Sequence, residues 1–575
     1  MSTERGVSFS GASVMGLEGA SLPSSSFWFP RRLAPFAFYD ISVSLPKGFD
    51  AVMEGEFISH KETESRSVVR YKVGVPSDGI NLIAARFIVN KESYKGIDIY
   101  TYFYVDDDEL SQRYIDKTKF YIDAFDALMP PYPYKKFAVV ENFLPTGFGM
   151  PSFTLLGSAV LRLPFIPDTA LGHEFVHNWW GNGVYIDAAS GNWAEALTTY
   201  TADHQSRERE GKDAVAAYRM RALSNYANYA YNSVKPVSSF GYGTSTEDRA
   251  IGYSKAMMIF HMLRSIVGDD QFYASLRRFY DDNAFTKGSW EDIRVAFEDT
   301  SGLELGWFFD QWLTRAGGPK LSIERVKLSR GSKSPYRLSF VIKQEPPFYR
   351  LTVPVLIETL GGMEKRLVTL TKGSKRVKLK LDERPLSFEV DPGSDIFRLL
   401  SPVEIPPSLA TVLGNKESIL VLPADVHSSL RYQLIAKTIK HDFALEVKGD
   451  TQVTQDELLE GQASYFIFGG EGENRLFDLV KERLPEGLVV GKGFFMVEGV
   501  RYDYKDSVLV AAISVGDKGR TLAILFGGLS AGELERIGQR ISHLTSKGFL
   551  VFTRGAGLKH GTFEGRKSLR YEFND

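Results

Sequence analysis

His173-Glu174-Phe175-Val176-His177 is the stretch on which the reading of this chain turns. Two histidines four residues apart lie one above the other on a helix, near enough to share one metal ion, and the glutamate beside the first can reach a water on that metal. Leu171, Phe175 and Trp179 form an apolar stripe about 200° away on the same helix, so the histidine face and the buried face are opposed. Asp168 stands where an N-cap would. The plain alternative is a pair of ordinary helix histidines, so the neighbouring sequence has to decide.

Working outward, Asn192-Trp193-Ala194-Glu195-Ala196-Leu197 opens a second helical stretch through Tyr200 to Asp203, and the turn from Gly181 to Gly191 brings it back beside the first. A catalytic zinc held by two histidines takes a third protein ligand and keeps one position open. Glu195 is the carboxylate in place for this. Taken by itself, Asn192 with a glutamate three residues on is a capping box, and it is the position after the histidine pair that makes Glu195 the expected third ligand.

The chain has 575 residues, 43% hydrophobic and 24% charged, which is a soluble globular profile long enough for several domains. It contains no cysteine, so a disulfide framework, a thiol nucleophile and a cysteine-ligated metal are all excluded. With 69 basic against 71 acidic residues, interspersed, it carries no electrostatic footprint for nucleic acid or an anionic membrane. Apolar runs such as Val508 to Val515 are of strand length, so no membrane span is expected. Met1-Ser2-Thr3-Glu4-Arg5 lacks a signal-peptide layout, which makes the cytoplasm the default expectation, or export if residues precede this start.

Periodicity divides the chain into four. Ala37, Tyr39, Ile41, Val43 and Leu45 alternate with mostly polar residues, and such strands continue to about Tyr104. Helical spacing takes over at Glu109 to Leu128, with Leu110, Tyr114, Tyr121 and Phe125 near one face, and lasts to Trp307 through Ala316, where Gly317-Gly318-Pro319 ends it. Period two returns between Leu321 and Val390, as in Leu338, Phe340 and Ile342, and predicts a small β-sandwich. Beyond Glu404-Ile405-Pro406-Pro407, short apolar strands alternate with helical stretches such as Ser428 to Lys440, as in an α/β domain. Its Gly469-Gly470 and Gly527-Gly528 pairs make neither a GxGxxG nor a P-loop and read as packing turns.

The histidine motif continues as Asn178-Trp179-Trp180-Gly181-Asn182, and Trp193-Ala194-Glu195-Ala196-Leu197-Thr198-Thr199-Tyr200 follows. This resembles the gluzincin metallopeptidases of the aminopeptidase N family, with their HExxHxWxGN pattern and a third-ligand glutamate in a WxNEGxxxY-like helix. Glu195 falls one position sooner than usual in that family. Gly252-Tyr253-Ser254-Lys255-Ala256-Met257 is similar to the family's YxKG-like helix start, so Tyr253 inherits the oxyanion-donor role; the other reading is an aromatic packed on Met257. Trp307-Phe308-Phe309-Asp310-Gln311-Trp312 and Phe27-Trp28-Phe29-Pro30 extend the resemblance to roughly residues 25 to 400.

Three departures accompany it. Where the family reads a substrate amine with the glutamate of a GxMEN strand, this chain has Gly147-Phe148-Gly149-Met150-Pro151-Ser152, so Pro151 occupies the glutamate position; Glu141, just upstream, is the nearest acid to inspect. The β region before the histidine pair is short, and the tail lacks the family's helical C-terminal domain.

The resemblance and the residues together imply a multidomain α+β chain: an N-terminal β domain (1–105), a thermolysin-like, mostly helical zinc peptidase domain (106–316), a β-sandwich (317–405) and an α/β domain (406–575). One Zn²⁺ per chain is expected on His173, His177 and Glu195, with Glu174 as base, Tyr253 as oxyanion donor and peptides as substrates. Aminopeptidase activity is the expectation, an endopeptidase with the same chemistry or a non-catalytic binding protein being the alternatives, and the oligomeric state is open.

Overall fold

The computed structural model describes residues 13–30, 36–143, 147–330, 336–415, 417–461, 463–515, 520–545, 547–554 and 557–573, so Met1 to Arg5 lie outside the described residues. It is a multidomain chain of helices and several sheets, and its contacts divide it into two compact units. One unit runs to Gly318 and takes back Gly393–Phe397; the other holds Pro319–Pro392 and Arg398–Asp575. No helix among the described residues is long and apolar enough to cross a membrane.

In the first unit the strand Ala37–Pro46 alternates half-buried and exposed positions, as its period-two sequence demands, and pairs antiparallel with Arg66–Ser77. Ala51, Met53, Val69, Tyr71, Val73, Ile80, Leu82 and Ala84 close a core there, with Trp28 and Phe29 packed against it. A five-stranded sheet follows, in the order Gly147–Met150, Phe153–Gly157, Lys136–Asn142, Ile97–Phe103, Ile88–Tyr94. Two of its strands therefore precede residue 105, where the alternation alone sees only more strands: sheet membership is decided by pairing partners 35 or more residues away, such as Ala138 on Tyr100.

The helix Asp108–Asp126 begins on an Asp107 cap whose carboxylate accepts from the Leu110 N–H, and buries Tyr114, Tyr121 and Phe125. Gly393–Phe397 returns to this unit through polar anchors. Asp395 Oδ1 lies 3.1 Å from both His261 Nε2 and Arg219 Nη2, and Arg219 Nε donates to the Gly393 carbonyl at 3.0 Å. Phe397 packs edge-on against Tyr226 at 4.9 Å.

The second unit contains a three-stranded sheet, Leu321–Arg330, Tyr336–Gln344 and Ser374–Leu381, and a four-stranded one in which Arg570–Glu572, from the far end of the chain, pairs with Pro385–Val390. Its α/β part is a seven-stranded sheet, parallel among Glu446–Gly449, Ile419–Leu422, Tyr465–Phe468 and Arg520–Gly527, and antiparallel beyond. The helices Val426–Phe443 and Ala531–Ile541 bury Tyr432, Ile435, Leu534 and Ile537 on one face of it. Gly527 and Gly528 sit where a Cβ would fall 2.2 and 2.1 Å from the Ser507 and Tyr504 carbonyl oxygens, so close backbone packing requires both.

Candidate metal centre

The helix Ala170–Val176 carries His173 and Glu174, with His177 as its C-cap. Leu171, Phe175 and Trp179 are at most 1% exposed, and this burial positions the opposite face. Phe175 stacks on Tyr132 at 5.1 Å and meets Phe137 edge-on at 4.9 Å, while Trp179 Nε1 donates to the Pro130 carbonyl. Each of these large side chains contributes about 1.5–3 kcal/mol by leaving water.

The expected Asp168 cap is not formed. Thr169 takes the N-cap position without a side-chain capping bond, its hydroxyl donating to the Phe165 carbonyl, and Asp168 pairs instead with Lys117 and, at 3.5 Å, with Arg113. Two cations on a neighbouring helix outcompete the amide donors for this exposed carboxylate.

Beyond His177 the chain turns at Gly181, and the strand Tyr185–Ile186 pairs with Lys287–Gly288 before the helix Ala194–Thr198 begins. Trp193 takes the N-cap position of that helix and Asn192, one residue before it, accepts on Oδ1 from Ala194 N at 3.0 Å; no capping box forms, and the Glu195 carboxylate faces the histidines instead. Glu195 Oε2 lies 3.6 Å from Nε2 of His173 and 3.6 Å from Nε2 of His177. One ligand atom from each residue falls within 4.8 Å of the others, the one such cluster of His, Asp and Glu among the described residues. All three side chains are between 14% and 22% exposed, so none is sealed from solvent.

The opposite ring nitrogens are fixed. His173 Nδ1 lies 3.0 Å from Asp203 Oδ2, and His177 Nδ1 lies 2.9 Å from the Trp180 carbonyl oxygen, so both Nδ1 atoms donate and both Nε2 atoms face the cluster. Thr198 Oγ1 also approaches His177 Nδ1, at 3.3 Å. Burial pulls the His173 imidazole down, but the Asp203, Glu195 and Glu174 carboxylates outweigh it and hold the ring well above its ordinary value. For Glu195, burial pushes up and the two imidazoles hold it well below the carboxylate range. Two imidazole nitrogens and a carboxylate oxygen converging among further carboxylates form a donor set that a divalent cation balances.

Two polar residues of the site sit on widened helical turns. Asp203 lies in the π-helical segment Thr199–His204 and Tyr253 in another, Ala250–Lys255. The Tyr253 phenol is raised above its ordinary value by burial and by the Glu195 and Glu174 carboxylates, which it faces.

The strand Gly147–Met150 is the outer edge of the five-stranded sheet and runs past the helix. A Cβ on Gly149 would fall 2.7 Å from Glu174 Oε2, 3.1 Å from His177 Cβ and 3.2 Å from the Glu174 carbonyl, so glycine gives the strand room to pass this close to the base. Asn182 Nδ2 donates to the Gly149 carbonyl at 3.2 Å. Pro151 and Ser152 form the two-residue turn to Phe153–Gly157, with Ser152 at φ 70°. Ser152 is fully buried and tied by Lys136 Nζ at 2.8 Å and by its own N–H to Asn178 Oδ1 at 2.8 Å. Glu141 is buried in another arrangement, accepting from Arg162 at 2.5 Å and from the Tyr104 N–H at 2.8 Å.

Asp203, Thr198, Gly149 and Asn178 escape a reading of the sequence. A metal-facing histidine needs an acceptor behind it, a carboxylate for His173 and a backbone carbonyl for His177. On a regular helix, however, Asp203 stands about 80° around from Glu195, and no local signal marks the widened turn between them.

Residues 168–312 match the Peptidase family M1 domain. Aminopeptidase N of Lactococcus lactis subsp. lactis is 27% identical over 27% of this chain and 19% of its own length. Aminopeptidase N of Escherichia coli (strain K12) is 23% identical over 36% of this chain and 25% of its own, and glutamyl aminopeptidase of Sus scrofa 27% identical over 28% and 17%. The matched stretches thus span a quarter or less of these relatives. The solved structure of Legionella pneumophila aminopeptidase A in complex with aspartic acid shares the fold with a TM-score of 0.52, at 18% identity, over 71% of this chain and 49% of that one.

Proposed function

We propose that this chain, a gluzincin with a Peptidase family M1 domain, is a zinc-dependent metallopeptidase that hydrolyses peptide bonds as an aminopeptidase, with residues 106–316 acting as a thermolysin-like catalytic domain. What carries the reading is the convergence of His173, His177 and Glu195 on one point, bordered by Glu174 and the Tyr253 phenol. Two histidines and one carboxylate suit a single Zn²⁺ with a position left open. Zinc bound there supplies the Lewis acidity that polarises a scissile carbonyl and acidifies a water.

The remaining work belongs to the side chains. Glu174 accepts a proton from the attacking water as its oxygen bonds to the carbonyl carbon, and passes that proton to the leaving nitrogen as the C–N bond breaks. Tyr253, kept protonated by burial and by its acidic neighbours, donates a hydrogen bond to the oxyanion. Asp203 holds the His173 ring with Nε2 toward the ligand point.

Hydrolysis of aminoacyl arylamides by the purified chain, lost on chelation and restored by zinc, tests this. A protein that binds zinc and cleaves neither aminoacyl arylamides nor internal peptide bonds is a binding protein, and the proposal fails.

A second reading concerns the substrate terminus. Pro151 stands where the family's amine-reading glutamate does, and Glu141 is already engaged by Arg162. A buried ammonium without a carboxylate costs several kcal/mol, so discrimination for a free amino terminus should be weak, with Glu195 supplying part of the charge. The measurement is kcat/KM for one peptide with its amine free and acetylated. A preference of about 10⁴ for the free amine, about 5.5 kcal/mol, would show that another acid does the reading.

A further inference from the structure

Behind His173, on the side of Nδ1 and away from the ligand point, lies a cavity of about 220 Å³ whose lining includes Asp203, Ser206, Arg207, Arg209, Tyr218 and Arg221. Its arginines differ in their engagement. Arg207 pairs with Glu210 at 2.5 Å. Arg209 and Arg221 meet no acidic partner or hydrogen-bond acceptor among the described residues and lie instead over aromatic rings: Arg209 Cζ is 5.5 Å from the Phe120 ring and 5.7 Å from Phe125, and Arg221 Cζ is 5.2 Å from Tyr218. A guanidinium resting on a ring keeps its N–H groups free to bind, and its orientation is already set. The Ser206 and Tyr218 hydroxyls also have no hydrogen-bond partner among the described residues.

The charges are unbalanced in one direction. The other carboxylate at the wall, Asp168, is answered by Lys117 and Arg113, and Asp203 by His173. Three guanidinium groups and two unengaged hydroxyls, Ser206 and Tyr218, thus border a space too small for a drug-sized ligand, whose pockets run to about 300–1,000 Å³. We propose that this cavity is a binding site for a small multivalent oxyanion of the phosphate class, held by Arg209, Arg221 and the Ser206 and Tyr218 hydroxyls, with Asp203 as the wall between it and His173. Forked guanidinium donors match tetrahedral oxyanions and reject cations and neutral molecules.

The test is titration of the full chain with inorganic phosphate by calorimetry, on zinc-loaded and on chelator-stripped protein. Saturable binding is expected in both forms, weakened by about 10-fold or more in R209A and in R221A with zinc content unchanged. Both arginines are exposed, so folding should survive; should R221A unfold, R221Q serves instead. Binding that needs zinc, or that persists unaltered in both variants, would place the phosphate elsewhere and overturn the proposal, as would failure to saturate by about 10 mM. None of these outcomes depends on peptide hydrolysis.

Discussion

Asp203 Oδ2 sits 3.0 Å from Nδ1 of His173, on the far side of the ring from Glu195. The imidazole is therefore held between two carboxylates, one fixing its tautomer and the other sharing its ligand point. Asp203→Ala should weaken zinc binding by about 10- to 100-fold, read by competition with a chromophoric chelator. Unchanged affinity would mean that Asp203 serves the fold alone.

His177→Ala and Glu174→Gln should separate ligand from base. Wild type is expected to hold about one zinc per chain and His177→Ala to lose it, because two ligands do not retain the ion. Glu174→Gln should keep its zinc and lose turnover by about 10²- to 10⁴-fold. Metal analysis beside activity decides this, and a zinc-free Glu174→Gln would reverse the roles.

For Tyr253→Phe the expected change is a fall in kcat of about 10²- to 10³-fold with KM little altered, since one hydroxyl aimed at the oxyanion is lost. A lower melting temperature with kcat intact would make Tyr253 a packing residue.

Gly149→Ala should press hardest on the base, its new Cβ falling 2.7 Å from Glu174 Oε2 and 3.1 Å from Cβ of the ligand His177. The new methyl would displace the Glu174 carboxylate, and the Glu174 carbonyl at 3.2 Å asks the edge strand to give by a few tenths of an ångström. A misplacement near 1 Å costs about 100-fold in kcat/KM. Retained zinc with that loss is the expected pair of results, and wild-type kcat/KM would show that the strand yields freely.

Much of this site is legible in the chain because it is local. The i, i+4 histidines and the Leu171, Phe175, Trp179 stripe obey one helical period, and the structure puts them on opposite faces. Glu195 arrives beside the histidines although its spacing is one residue short of the family's usual pattern. The parts that elude reading depend on distant partners. Asp168 looks like a cap until Lys117 is beside it. Asp203 depends on a widened turn that no residue type announces, whereas Tyr253, on a second such turn, is reached through the resemblance of Gly252 to Met257. The pairing of Arg570–Glu572 with Pro385–Val390 joins segments about 180 residues apart, far beyond any periodicity window.

The return of Gly393–Phe397 makes the unit that bears the ligands discontinuous in sequence, with 319–392 as an insertion within it. Cutting the chain after Gly318 would take Asp395 from His261 and from Arg219, a guanidinium side chain only 7% exposed. A buried cation left without its acid destabilises a fold by about 3–5 kcal/mol. The unit is therefore no cassette that recombination could lift out at a single crossover: an exchange must carry the five-residue return with it, and so must carry both flanks of the insertion.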